Sequence, residues 1–181
     1  QRAFWEPRTA LVTGAGPIGL LAALRLHARN LDVHVLDRVE TGPKPDLVRN
    51  LGATYHGGSV LDIDFDPDII VECTGVGSVI ADSIQKVKSG GIVCLTGVGA
   101  GGAAGRTTAD VAAAAVLKNN VIVGSVNANK RHWYRAGQHL ARSDREWLSR
   151  LITRREMPEN FKKALERQPD DVKVIIQFSE L

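Results

Sequence analysis

The hexapeptide Gly14-Ala15-Gly16-Pro17-Ile18-Gly19 sits between a β-branched run, TALVT over Thr9–Thr13, and a leucine- and alanine-rich run, PIGLLAALRLHA. Glycines in a G-x-G-x-x-G spacing at a strand-to-helix junction each meet a separate demand. Gly14 permits the tight turn out of the strand, Gly16 lets a pyrophosphate approach the backbone, and Gly19 lets the helix pack closely on the strand. Pro17 falls in the first helical turn, where its missing N–H forfeits no hydrogen bond. The helix start then offers unpaired N–H groups and a positive dipole end to an anion. Asp37 ends the next apolar run, DVHVLD, about 18 positions after Gly19, near the spacing at which a carboxylate accepts the ribose hydroxyls of NAD. The same carboxylate would repel the 2′-phosphate of NADP: at about 4 Å and an effective dielectric near 20, each unit charge costs on the order of 4 kcal/mol before screening. Arg38 follows and admits two readings, a clamp for a 2′-phosphate or a solvated loop cation. NAD is the favoured cofactor, and NADP stays open.

The rest of the chain keeps the same alternation. Runs at 32–36, 68–73, 91–97 and 121–126 are β-branched and almost continuously apolar, the pattern of strands buried on both faces. Between them, 17–28, 78–90 and 107–119 read as helices. The second is expected to stop at Gly90, and the third follows a Gly/Ala loop over 97–105. Strands and helices alternating over short connections predict an α/β fold: a doubly wound parallel sheet (Rossmann) with a helical C-terminal extension. Past Val126, residues 130–155 read as one amphipathic helical stretch with Trp133, Leu140, Trp147 and Leu151 as core candidates. A short helix at 158–170 and a closing strand at 172–178 follow. The expected organisation is a Rossmann domain over 1–129, with the helices and strand of 130–181 completing the same domain.

Composition narrows the functional classes. The 181 residues are 44% hydrophobic, enough for one compact core. A net charge of +3 with a pI near 9.0 is too mild for a nucleic-acid binder. No apolar run reaches about 18 residues, so no membrane span is expected. QRAFWEPR lacks the apolar centre of a signal peptide. Cys73 and Cys94 form no CxxC pair and read as buried thiols in a reducing, cytoplasmic setting. The chain opens on Gln1, and Met157 is its one methionine; the expectation is a processed or excised piece of a longer protein. A short-chain reductase would need Tyr-x-x-x-Lys, but Gln138 and Ser59 stand four residues after Tyr134 and Tyr55. No serine occupies a strand-to-helix elbow, and the histidines show no paired metal spacing. A strong cofactor site therefore stands without a convincing catalytic set, and no catalytic or metal-binding residue is assigned.

Two further turns lie at strand ends, where open α/β sheets bind their ligands. ECTGVG places Thr74 and Gly75 at one, and LTGVGAGG places Gly97 and Gly99 at the next; ordinary left-handed turns are the alternative reading. Five segments together, ALVTGAGPIGLLAALRLHARNLDVHVLDR, LVRNLGATY, DIIVECTG, GGIVCLTGVG and GSVNANKRHW, resemble the cofactor-binding half of the zinc-dependent medium-chain dehydrogenases. The last of them, with the closing DVKVIIQF, is similar to the glucose 1-dehydrogenase branch. The resemblance runs from about Arg8 to Phe178.

This resemblance implies a preceding GroES-like domain, absent from this chain, that holds the catalytic zinc. It implies that the present chain binds cofactor and does not turn over alone. Pyrophosphate contacts are implied at Gly16, Pro17, Ile18 and Gly19, and adenine-ribose contacts at Asp37 and Arg38. The nicotinamide end is implied at Thr74, Gly97, Val98, Gly99, Ser125, Val126 and Asn127. Lys173 matches a position that approaches the cofactor in this branch. Asn127 also suits a sugar hydroxyl, or a plain turn. Sugar dehydrogenases of this type often carry Asn or Gly where Asp37 stands, usually followed by two basic residues; Asp37-Arg38-Val39 departs from that and tilts the expectation to NAD. The implied whole enzyme is a homo-oligomer that oxidises the anomeric carbon of an aldose to a lactone. Two alternatives stand beside it: another medium-chain alcohol or polyol dehydrogenase, and a non-catalytic NAD(H)-sensing module.

Overall fold

A computed structural model of the protein describes residues 5–99, 103 and 105–179, so part of the predicted Gly/Ala loop after Gly99 lies outside the described residues. Six strands form one sheet: β1 (Thr9–Thr13), β2 (Asp32–Leu36), β3 (Thr54–His56), β4 (Ile69–Glu72), β5 (Ile92–Leu95) and β6 (Val121–Gly124). Helices α1 (Pro17–His27), α2 (Pro43–Asn50), α3 (Gly77–Lys86) and α4 (Thr108–Leu117) alternate with them. The spatial order is β3-β2-β1-β4-β5-β6, and every pairing is parallel. Val12 lies beside Val35 on one side and Val71 on the other. After β3 the chain crosses back to set β4 against β1, so the order reverses between those two strands. Their C-terminal ends open the crevice where ligands of such sheets bind.

Side chains alternate across the sheet, and both faces are covered over its central strands; β6, expected to be buried on both faces, is exposed along its whole length because it is the edge strand. Ala10, Val12, Val33 and Val35 pack against Leu20, Ala23 and Leu24 of α1 and Leu47 and Val48 of α2. Leu11, Ile70 and Val93 face the other way, onto Val60, Ile63, Ile84 and Val87. This two-sided burial is why the strands read as unbroken apolar runs. β3 and α2 were not legible: three residues show no period, and α2 opens Pro-Lys-Pro. α3 ends at Lys86, because Val87 adopts an extended ψ of 140°. Gly90, φ 76°, belongs to a later turn and is not the helix stop predicted.

The C-terminal segment departs further from expectation. It contains α5 (Lys130–Arg142), α6 (Arg145–Arg150), β7 (Ile152–Glu156), α7 (Phe161–Leu165) and β8 (Lys173–Ile176). The single helical stretch predicted over 130–155 is two helices and a strand. Asp144 restarts the helix by accepting hydrogen bonds from the backbone N–H of Glu146 and Trp147, at 2.8 and 3.3 Å, as an N-cap does. The residues after α6 pair in parallel with β8; the closing strand thus joins β7 and not the main sheet. Arg154 fastens this unit. Its guanidinium donates to both oxygens of Asp171 at 3.1 and 2.7 Å and to Glu156 at 3.0 Å.

Of the four predicted core residues, two are buried and two are not. Trp147 is 4% exposed, and its indole N–H donates to the Leu47 carbonyl at 2.8 Å. It joins Leu151 and Val172 in the cluster that holds α1 and α2, so the C-terminal segment is anchored on the first half of the sheet. Trp133 is 71% exposed and Leu140 41%, and α5 has no buried residue. Helical periodicity marks an apolar stripe without saying what covers it. Among the described residues no helix is long and apolar enough to cross a membrane.

Candidate dinucleotide site

The chain leaves β1 through Gly14, whose φ of +93° an L side chain rarely adopts. The Gly14 N–H donates to the Leu36 carbonyl at 2.7 Å, tying the turn to β2. A Cβ on Gly19 would stand 1.8 Å from the Gly14 carbonyl oxygen, so only glycine lets α1 seat against the loop. At Gly16 the reverse holds: a Cβ there would meet nothing within 4 Å. The backbone at Gly16 faces open space. α1 begins there with no side-chain cap and no acidic residue in its first turn, which leaves its positive end available to an anion. Ile18 is 61% exposed beside it.

Asp37 stands across this turn, buried, at the end of β2. Its Oδ2 accepts from the Ala15 N–H at 2.7 Å, and its Oδ1 from the Val39 N–H at 3.1 Å. The Lys44 ammonium lies 3.4 Å from Oδ2. The carboxylate therefore bridges the glycine loop and the loop after β2. Tyr55 fastens the second of these by donating its hydroxyl to the Val39 carbonyl. Burial, and then the charge of Asp37, push the Tyr55 phenol up to about 12, so it remains a donor at neutral pH. Arg38 is exposed on the same loop.

The turns after β4 and β5 meet the glycine loop. A Cβ on Gly14 would lie 3.0 Å from Thr74 Cγ2, and one on Gly97 would lie 2.1 Å from the Gly75 nitrogen. Glu72, fully buried at the end of β4, organises this corner. Its Oε1 accepts from the Thr74 N–H at 2.6 Å, the Gly75 N–H at 3.1 Å and the Thr74 hydroxyl. Val98 is exposed beyond β5 and Val126 beyond β6, and the Ser125 N–H donates to the Leu95 carbonyl at 2.9 Å. Residues 125–127 thus follow β6 along the same edge as 97–99. Lys173 is exposed on β8. Its neighbours Val172 and Val174 line a cavity of about 300 Å³ shared with Gly16, Pro17, Lys44 and Arg167.

Sequence reasoning missed Glu72 and Lys44. For Glu72 a signal existed, since a lone acid in an apolar strand has to be hydrogen-bonded once buried. Lys44, between two prolines, carried none. Among the described residues no group of three or more His, Cys, Asp or Glu is placed to hold a metal ion. Burial pushes the Cys73 thiol up to about 11 and raises that of Cys94; both are protonated at neutral pH, unlike metal-bound thiolates. The described residues do not fit a zinc site. They do fit an anionic nucleotide: a glycine loop open to solvent, an uncapped helix start, and a buried carboxylate after β2.

A family model described as glucose dehydrogenase C-terminus matches residues 1–178. The chain is 38% identical over 178 residues to glucose 1-dehydrogenase 2 of Vulcanisaeta moutnovskia, covering 96% of this chain and 51% of that protein. It is 36% identical over 181 residues to glucose 1-dehydrogenase 1 of Caldivirga maquilingensis, covering 98% and 52%. Among solved structures, Haloferax mediterranei glucose dehydrogenase in complex with NADP, Zn and gluconolactone superposes with a TM-score of 0.88 at 27% identity, covering 98% of this chain and 52% of that one. The chain spans about half the length of the curated relatives it matches.

Proposed function

Since the chain belongs to the glucose dehydrogenase C-terminus family, we propose that it is the cofactor-binding half of an NAD(P)-dependent glucose 1-dehydrogenase. The observation that carries this reading is the glycine loop: Gly14 and Gly19 are required by the fold itself, whereas at Gly16 a Cβ would meet none of the described residues within 4 Å. A glycine with open space on its exposed side, at an uncapped helix start, is explained by a pyrophosphate resting on it. When bound, the nicotinamide ring supplies the hydride acceptor.

The residues of this chain hold and orient that cofactor. Gly16, Pro17, Ile18 and Gly19 receive the pyrophosphate, and Asp37 and Arg38 meet the adenine ribose. Thr74, the 97–99 turn and Ser125, Val126 and Asn127 border the nicotinamide end, with the Thr74–Gly75 backbone set in place by Glu72. The reaction proposed for the whole protein is oxidation of the anomeric carbon of an aldose to a lactone, for which these residues would hold the hydride acceptor. The substrate-binding partner is a further domain of the same protein, since the relatives are about twice as long. Zinc has no assigned residue in this chain. Asp37 favours NAD over NADP, and the proposed setting is a cytoplasmic homo-oligomer.

Calorimetric titration with NADH and NADPH tests this. Gly16→Val should fold normally, because a Cβ there meets nothing within 4 Å, yet weaken both nucleotides by at least about tenfold. A wild-type chain that binds neither nucleotide would sink the proposal.

A further inference from the structure

The Lys44–Asp37 pair is unusual for the surface of a nucleotide loop. The two side chains are 9% and 10% exposed, with 3.4 Å between Nζ and Oδ2. Lysine is seldom buried this far unless it is paired, and among the described residues Lys44 forms its ion pair with Asp37. Other charged groups line the neighbouring cavity, namely Glu166, Arg167 and Asp171. Asp171 is already held by the Arg154 fork at 2.7 Å. In the dinucleotide reading Asp37 sits at the ribose position, its charge opposed by a Lys44 side chain that lines the cavity shared with the C-terminal segment.

Resting on the dinucleotide reading above, we propose that Lys44 is a positioning residue that sets cofactor specificity, neutralising Asp37 so that the site accepts NADPH as well as NADH. An unpaired Asp37 would exclude a 2′-phosphate by like-charge repulsion. With Lys44 in place the Asp37–Lys44 pair carries no net charge, Arg38 on the same loop adds no repulsion to a 2′-phosphate, and a ribose 2′-hydroxyl and a 2′-phosphate are both admitted. The preference for NADH that Asp37 imparts is therefore shallow, and Lys44 is what keeps it so.

Titration of the wild-type chain and four variants with NADH and NADPH tests this, with the ratio of the two dissociation constants as readout. The wild-type ratio should lie within about tenfold of unity. Lys44→Met should weaken NADPH by at least about tenfold while changing NADH less than about threefold. Lys44→Arg, which keeps the charge, should hold the wild-type ratio. Asp37→Asn should shift the ratio toward NADPH, and Asp37→Asn/Lys44→Met, with both charges gone, should return it near the wild-type value. Should Lys44→Met fail to fold because it strands Asp37, the charge-neutral double variant and Asp37→Asn still decide. An unchanged ratio in Lys44→Met or in Asp37→Asn would overturn the proposal. So would a double variant that stays poor for NADPH alone, which would make Lys44 a direct phosphate ligand. If the wild-type chain binds neither nucleotide, the dinucleotide reading itself falls.

Discussion

Glu72 and the motif glycines solve the same problem at opposite sides of the crevice, the shaping of backbone toward a ligand. The glycines do so by removing Cβ atoms, and Glu72 by accepting the N–H groups of Thr74 and Gly75 from a fully buried position. Glu72→Gln replaces one acceptor oxygen with an NH2 group that faces donors. Leaving such groups unsatisfied costs about 1–3 kcal/mol, so the urea midpoint should fall and both nucleotides should bind more weakly. An unchanged midpoint would mean the turn holds without the carboxylate. The structural roles of Gly14 and Gly19 were readable because each follows from a local spacing. Glu72 signalled only that it must be hydrogen-bonded, not to which groups, and Lys44 signalled nothing, because a charged residue declares its partners only when the structure shows what buries it.

At the level of elements, β2 and β3 carry a histidine pair with a consequence for stability. His34 Nδ1 and His56 Nε2 lie 2.7 Å apart, and His34 Nε2 stands 3.3 Å from the Asp32 carboxylate. Burial first, and then the neighbouring His34, lower the pKa of His56 below its ordinary 6.5. The folded state therefore takes up a proton at His56 less readily than the unfolded chain does. Stability from this source is full above about pH 6.5 and falls as the pH drops below it. Urea unfolding should give a lower midpoint at pH 5.5 than at pH 7.5, and His56→Gln should flatten that difference; an equally steep dependence in the variant would refute the assignment. The long elements were legible here from their periodicity. The split between α5 and α6 was not, because the capping role of Asp144 competes with a helical pattern that runs straight through it. Nor was β7, whose pairing with β8 lies about 20 residues along the chain.

Across the whole molecule, apolar surface is concentrated beyond β5. Val121, Ile122 and Val123 on the edge strand β6 are 38–43% exposed, and Val116, Leu117 and Val126 are 74–82% exposed. An open parallel edge with uncovered valines and isoleucine invites pairing or cover. Light scattering should give an apparent mass above that of one chain, rising with concentration, and Ile122→Lys should lower it. A wild-type chain that stays monomeric and binds no apolar dye would count against cover of this edge by a partner. The first half of the sheet is finished by contrast, with Trp147, Leu151 and Val172 sealing the α1–α2 face.

The alternation of apolar strands and helices and the glycine spacing were enough to specify the parallel sheet and the position of the crevice. These rest on short-range physics: what a backbone can do at a turn, and what a strand buried on both faces must contain. The tertiary structure alone decided that Trp147 packs inward while Trp133 does not, that the closing strand pairs with β7, and that Asp37 is paired with Lys44. Each of these depends on which surfaces arrive opposite one another after the chain has folded, and a side chain's neighbours, more than its chemistry, set whether it is core, ligand or counter-charge.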